Sequence, residues 1–372
     1  MNSRERLLKA LECGIPDRVP VSTYELCGHN SANFENSDPS YESLMDYIRE
    51  KTDAITMWNP VSNETFWHSS AKVDKKTDKK KNADGSETTR ETIKTKKGPL
   101  TRVTKRMPGV HTPWRTEHWC KTPDDIKKML EIPFEPLSYA IEDYGRICFE
   151  AEEHGIIMSS VPDAFRLAIE LFEFGEATVW ALTETEQFEE VIEVMHERVM
   201  ENLAQLMDET PVDLYRITGP EYATPPYLPP NFFEKYVLPF DKEMVDFIHE
   251  QGKKVRIHSH GKIGSVLDYI LATGADGLDP CEPPPDGDIT LAALKKKTTG
   301  KMCLFGNLEV KILEAGSTDD VKKAVRTAMD EAKAGGGFII MPTAAPINTP
   351  LSKKTEENYR VFIDTALETG KY

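Results

Sequence analysis

Two histidines one residue apart, His258 and His260, are the side chains in this sequence best placed to do chemistry. They end the short apolar run Val255, Arg256, Ile257, and residues two apart on a strand or at its exit point to the same side. Both rings could therefore reach one ion, although the same spacing also suits a pair of solvated loop histidines. A helical pattern follows (Ile263, Val266, Leu267, Ile270, Leu271), stopped by Gly274. A second apolar run at 277–279 then leads into Cys281 and Glu282. Strand, loop, helix, strand, with ionisable groups at both strand exits, suits a βα barrel, in which those exits share one face that carries the chemistry.

That face needs the rest of a barrel behind it. Strand candidates fall at 18–24, 54–58, 155–160, 212–218, 255–257, 277–280, 302–305 and 338–341. Helical periodicity falls at 3–12, 43–50, 123–130, 139–154, 164–172, 184–208, 231–250 and 354–368. Eight strands alternating with helices predict an α/β fold, a TIM (β/α)8 barrel. An open doubly wound sheet is the runner-up, but no GxGxxG follows the first strand to favour it.

One stretch departs from the alternation. At about 64–110 Thr, Val and Lys alternate, and Asn82-Ala83-Asp84-Gly85 and Gly98-Pro99 supply turns, which predicts β-hairpins inserted after strand two. Between Lys72 and Arg106 there are 13 Lys+Arg and 5 Asp+Glu, a local +8 within a net charge of −16, so the remainder carries −24. The stretch reads as a solvated protrusion or as a surface for an acidic partner.

Composition narrows the function classes. A chain of 372 residues with 39% hydrophobic and 29% charged residues has the balance of a soluble globular protein, and no apolar run approaches a membrane span. The opening residues lack an export signal, so a cytoplasmic location is expected. Six cysteines (13, 27, 120, 148, 281, 303) are scattered without a CxxC pair, as free thiols in a reducing compartment would be. The acidic balance argues against nucleic acid as a partner.

Other residues at predicted strand exits are candidates for the mouth. Glu25 and His29 follow strand one, and Trp58 and Asn59 end strand two. Asp163 follows strand three, where it reads either as a substrate contact or as the acid of a helix N-terminus beside Arg166. Tyr222 and Tyr227 lie in a proline-dense loop, where they would line an apolar pocket or simply pack the loop. Asn307 ends strand seven and could donate to a substrate.

Several segments, in order along the chain, resemble the uroporphyrinogen decarboxylase superfamily: "RLLKAL…PDRVPV", "GPLTR", "TPWRTEHWCKTPDDIKKM", "FFEKYVLPFDKEMVDFIHEQGKKVRIHSHG", "ADGLDPCEPPPDGD", "LFGNLEV" and "GGFIIMPTAAPINTP". The resemblance covers nearly all of residues 1–372 and implies one barrel domain with the inserted hairpin region. It also points to homodimers. The superfamily's decarboxylases use no metal and rely on an arginine-rich segment after strand one. Here that place reads Ser22-Thr23-Tyr24-Glu25-Leu26-Cys27-Gly28-His29, without arginine.

The other branch, the corrinoid-dependent methyltransferases, binds zinc through His-x-Cys after strand five and a late cysteine. This chain has His258-x-His260 and, in place of the late cysteine, Thr343-Ala344. Histidine keeps a zinc ligand but leaves it neutral, so carboxylates must supply negative charge. Glu221, at the exit of strand four, is the candidate third ligand, with Cys281 and Glu282 behind it; Glu282 could instead orient a ligating histidine. The resemblance implies a zinc-dependent methyltransferase with His258, His260 and Glu221 as catalytic residues. It would move a methyl group from a small methylated substrate, a methyl ether or methoxyarene above all, to a corrinoid protein, as the first component of an O-demethylase does. Cobalamin is expected on that separate protein, because the chain has no DxHxxG motif. The alternatives are a metal-free decarboxylase-like enzyme on a non-porphyrin carboxylate and a non-catalytic barrel used as a binding module.

Overall fold

The computed structural model describes residues 1–110, 113–210, 212–346 and 349–372; Thr112, Ile347 and Asn348 of the segments quoted above lie outside the described residues. Its contacts divide the chain into two compact units, Met1–Asn59 with Glu142–Val161 and Val212–Tyr372, and Pro60–Ile141 with Pro162–Pro211. From the N-terminus the strands are β1 (Ala54–Met57), β2 (Val61–Ser62), β3 (Asp74–Lys81), β4 (Glu87–Thr95), β5 (Gly98–Arg106), β6 (Trp114–Glu117) and β7 (Tyr139–Ala140). They continue as β8 (Gly155–Pro162), β9 (Leu214–Thr218), β10 (Lys254–His258), β11 (Gly277–Asp279), β12 (Cys303–Leu308) and β13 (Phe338–Pro342).

In the first unit β1, β8, β9, β10, β11, β12 and β13 pair in that order, all in parallel. The eighth stave is the predicted first strand, reduced to a bridge. Val21 pairs with Ile340, Ser22 N and Pro20 O bond Ile340 at 3.0 Å each, and on the other side Asp53 N donates to Val21 O at 2.8 Å. Pro20 has no N–H to give a ladder, which keeps this stave short. The ring closes, and the TIM (β/α)8 barrel is the fold.

The helix Ser3–Leu11 plugs one end. Its Leu7, Ala10 and Leu11 pack with Ile55, Ile156, Leu214, Cys303 and Ile339, which stand at the starts of their strands. Arg6 fixes the plug by pairing with Asp17 and with the fully buried Asp53, which Arg18 also holds. The strand exits lie at the opposite end of the barrel from this helix.

The second unit contains the four-stranded antiparallel sheet β3-β4-β5-β6 and the long helix Thr185–Glu209. The exposed edge strand β3 reads DKKTDKKK, and its lysines suit an edge that must not pair with another chain.

Two predicted helices came out differently. In 139–154, Tyr139 and Ala140 pair with Ser62 and Val61, and the helix itself is Tyr144–Ala151. The 231–250 helix is two, Pro230–Tyr236 and Leu238–Glu250, because Pro239 withholds an N–H and crowds the preceding turn. The helices Phe174–Thr183, Leu291–Thr298, Val310–Ala315 and Thr318–Ala332 had no counterpart among the predicted elements.

Candidate functional site

His258 is the last residue of β10 and Asp279 the last of β11, and the two are register partners. His258 Nδ1 lies 2.8 Å from Asp279 Oδ2. An ionised carboxylate only accepts, so Nδ1 carries a proton and donates to it. Asp279 is fully buried, which alone would raise its carboxyl; Arg256, His258 and Arg216 outweigh burial and hold it well below the usual carboxylate range. Arg256 Nε stands 3.0 Å from Asp279 Oδ1 as a charge contact, and the guanidinium covers the Phe305 ring at 4.8 Å.

His260 repeats the arrangement one step further out. Its Nδ1 lies 2.9 Å from Glu282 Oε1, while Glu282 Oε2 accepts from Gly261 N at 2.7 Å. Burial disfavours a charged His260, but Glu282, then Glu221 and Asp279, raise its pKa overall. Glu282 is lowered in turn: its burial is outweighed by the His260 bond. The two rings meet edge to face, 4.7 Å apart at 88°. Each histidine is thus oriented through Nδ1 by a carboxylate, the support that ligating histidines use. Glu282 is therefore placed behind His260, in the orienting position.

Glu221 lies in the turn Pro220–Ala223; its Oε2 accepts from Gly219 N at 3.0 Å, and its charge reaches His260. Cys281 is elsewhere engaged. Its thiol is fully buried, is pushed up chiefly by that burial, and donates to Leu278 O. Among the described residues no three His, Cys, Asp or Glu side chains are gathered closely enough to hold an ion. Imidazole nitrogens suit a zinc ion, but with the side chains as they stand His258 and His260 have no third donor gathered with them among the described residues.

The remaining candidates are dispersed. Asn307, near the exit of β12, lines a cavity of about 620 Å³ walled by Leu291, Leu308, Ile312 and Ala324, and His258, His260 and Glu221 are not among the residues that line it. Trp58 is buried, stacks on Tyr144 at 5.0 Å and donates to Asp143 at 3.3 Å, which makes it part of the packing. Glu25 is half-exposed and 3.6 Å from Arg216 Nη2. Tyr222 lies in the same turn as Glu221. In the second unit Asp163 caps the helix Ala164–Ile169, its Oδ1 accepting from Arg166 N at 2.6 Å, so the helix-terminus reading describes its place. Thr343, where the late cysteine was expected, is bonded to the backbone of β12 and its exit.

Sequence reasoning missed the charges inside the barrel. Arg216 and Arg256 are register partners on β9 and β10. Arg216 donates to Ser160 Oγ at 3.3 Å and to Tyr24 OH at 3.2 Å. Burial pushes the Tyr24 phenol up to about 12, so it stays a neutral hydroxyl. The signal was available: Tyr215-Arg216-Ile217-Thr218 and Val255-Arg256-Ile257-His258 each place an arginine between apolar residues, two before the strand exit.

Residues 102–367 match the sequence profile of the family described as uroporphyrinogen decarboxylase (URO-D). The chain belongs to the URO-D family. Uroporphyrinogen decarboxylases of Geotalea uraniireducens and Geotalea daltonii are 31% and 30% identical to it over 129 residues, 32% of this chain. The matched stretch spans 35% of the length of each relative. Over 99% of both chains, the fold is shared with the solved structure of a methyltransferase from Methanosarcina mazei, at a TM-score of 0.62 and 14% identity. For this URO-D member the likeness establishes the barrel across its length. No helix among the described residues is long and apolar enough to cross a membrane.

Proposed function

We propose that this URO-D family member is a cytoplasmic methyltransferase that passes a methyl group from a small methylated substrate, preferably a methyl ether or methoxyarene, to a corrinoid protein. The observation that carries the reading is the histidine pair. Two imidazoles at the exit of β10 each have Nδ1 held by a carboxylate at or just past the exit of β11. A methyltransferase sharing the fold end to end is consistent with it.

In the reaction the methyl carbon–oxygen bond breaks with its electron pair going to oxygen. The electron pair of the cob(I)alamin substrate forms the new bond to carbon, and the released alkoxide or phenolate gains a proton. A zinc ion held by His258, His260 and Glu221 would act as a Lewis acid for the oxygen leaving group. The chain's own groups supply the rest. Asp279 and Glu282 fix the two rings through Nδ1.

A second reading rests on a different observation, the inward Arg216 beside Tyr24 and Ser160. A guanidinium there suits a substrate carboxylate, with His260 as an acid, in decarboxylase-like chemistry on a non-porphyrin acid. Metal content separates the two. About one zinc per chain in the wild type, lost in His258→Ala, is expected for methyl transfer. A wild type that takes up no zinc when supplied with it would overturn that mechanism in favour of the second.

A further inference from the structure

A second cavity, of about 520 Å³, lies wholly within the second unit and shares no residue with the barrel site. Its aromatic side is Phe66, Trp67 and Trp119, and its cationic side is Lys75, Arg102 and Arg115. The volume is that of a small-molecule site.

Part of the wall is held in a costly conformation. Trp67 and His68 are consecutive non-glycine residues in the left-handed region, with φ of 49° and 54°. Such strain persists where the surroundings over-determine it, and it concentrates at ligand sites. Here the surroundings are explicit. Arg198 donates to Trp67 O at 3.0 Å, Asn202 donates to His68 O at 2.9 Å, and Glu64 accepts from His68 N at 3.0 Å. Arg198 also covers one face of the Trp67 ring, 4.8 Å from its centre.

Hydrogen-bond accounting gives the polarity of what would fill the cavity. Trp67 Nε1 is buried and has no hydrogen-bond partner among the described residues. Arg115 bonds Glu170 through Nη2 at 2.9 Å, and its other nitrogens have no partner among the described residues. Lys75 and Arg102 converge on one carboxylate, Glu91, each at 2.9 Å. The acceptors are already engaged: Glu170 by Arg115 and Arg166, Glu91 by Arg102, Glu64 by His68. The Trp67 N–H is the buried donor left over, and a buried donor without an acceptor is costly; the exposed Arg115 guanidinium has donors to spare for an anion beside it. A ligand that completes this site brings anionic oxygens and a flat ring for the aromatic wall.

We infer that the second unit carries a binding site for a small aromatic carboxylate, with the ring against Trp67 and Trp119 and the carboxylate on Arg115 and the Trp67 N–H. The site stands apart from the methyl-transfer reading and holds whichever chemistry the barrel performs.

The test is a fluorine NMR titration of the whole protein with 4-fluorobenzoate, the variants first shown to be folded by circular dichroism. Saturable binding is expected in the wild type and equally in His258→Ala. Arg115→Gln should weaken it about tenfold or more, and Trp67→Phe, which keeps a ring and removes only the N–H, should weaken it to a lesser degree. The neutral 4-fluorobenzamide should bind about tenfold more weakly than the acid. Failure of the wild type to bind would overturn the inference. So would unchanged affinity in both Arg115→Gln and Trp67→Phe, or binding abolished by His258→Ala.

Discussion

His258 and Asp279 are register partners at the ends of β10 and β11, with the ring Nδ1 2.8 Å from the carboxylate. The same carboxylate faces the buried Arg256 on its other side, so one residue both orients the histidine and neutralises a buried cation. Asp279→Asn should therefore cost about 3–5 kcal/mol in urea unfolding, as for other buried ion pairs that lose one partner. His258→Ala leaves the Arg256–Asp279 contact standing and should cost clearly less. Because Asp279 is lowered in the folded state, its stabilisation is complete above the ordinary carboxylate range and fades only as pH falls through the lowered value.

Gly277 makes room for this charge cluster. A Cβ there would stand 2.6 Å from Phe305 Cε2 and 3.0 Å from Arg256 Cβ. Gly277→Ala should cost about 1–3 kcal/mol by overpacking and loosen the Arg256 stack on Phe305. Denaturant unfolding checks the first expectation. A disturbed His258 ring signal in NMR checks the second.

A pH dependence is expected from His29, which stacks on His154 at 4.1 Å with the rings nearly parallel. Burial, and then the charge of His154, lower its pKa from the ordinary 6.5. The unfolded chain then binds the proton more readily than the folded one. Stability should be full above the ordinary histidine value and be lost as pH falls through the lowered folded value, at no more than about 1.4 kcal/mol per pH unit. Melting temperatures across that range should fall for the wild type and fall less for His29→Gln.

The barrel was legible because each stave except the first carries its own apolar run and each exit is marked by a polar residue or a proline. The first stave was legible as a strand but not as a bridge, since its pairing depends on Ile340 and Asp53, more than thirty residues away. The histidine pair could be read from spacing alone. Glu282 was legible as a residue that could orient a histidine, but the part of Asp279 was not, because it reaches His258 across strands. Asp279 read only as the end of a strand until the β10–β11 register placed it beside His258. Arg216 and Arg256 were passed over because buried arginines inside apolar runs look like surface charge until the barrel's inward face is known.

The most direct test of the central claim is whether zinc-loaded protein methylates cob(I)alamin at the expense of a methyl ether. In the absorption spectrum cob(I)alamin should disappear as methylcobalamin forms, with one phenol released per methyl group from a methoxyarene, and His258→Ala should abolish both. A zinc-loaded wild type that leaves cob(I)alamin unmethylated across methyl ethers and methylated amines would contradict the account. Metal-free release of carbon dioxide from a carboxylated substrate would then establish the decarboxylase-like reading in its place.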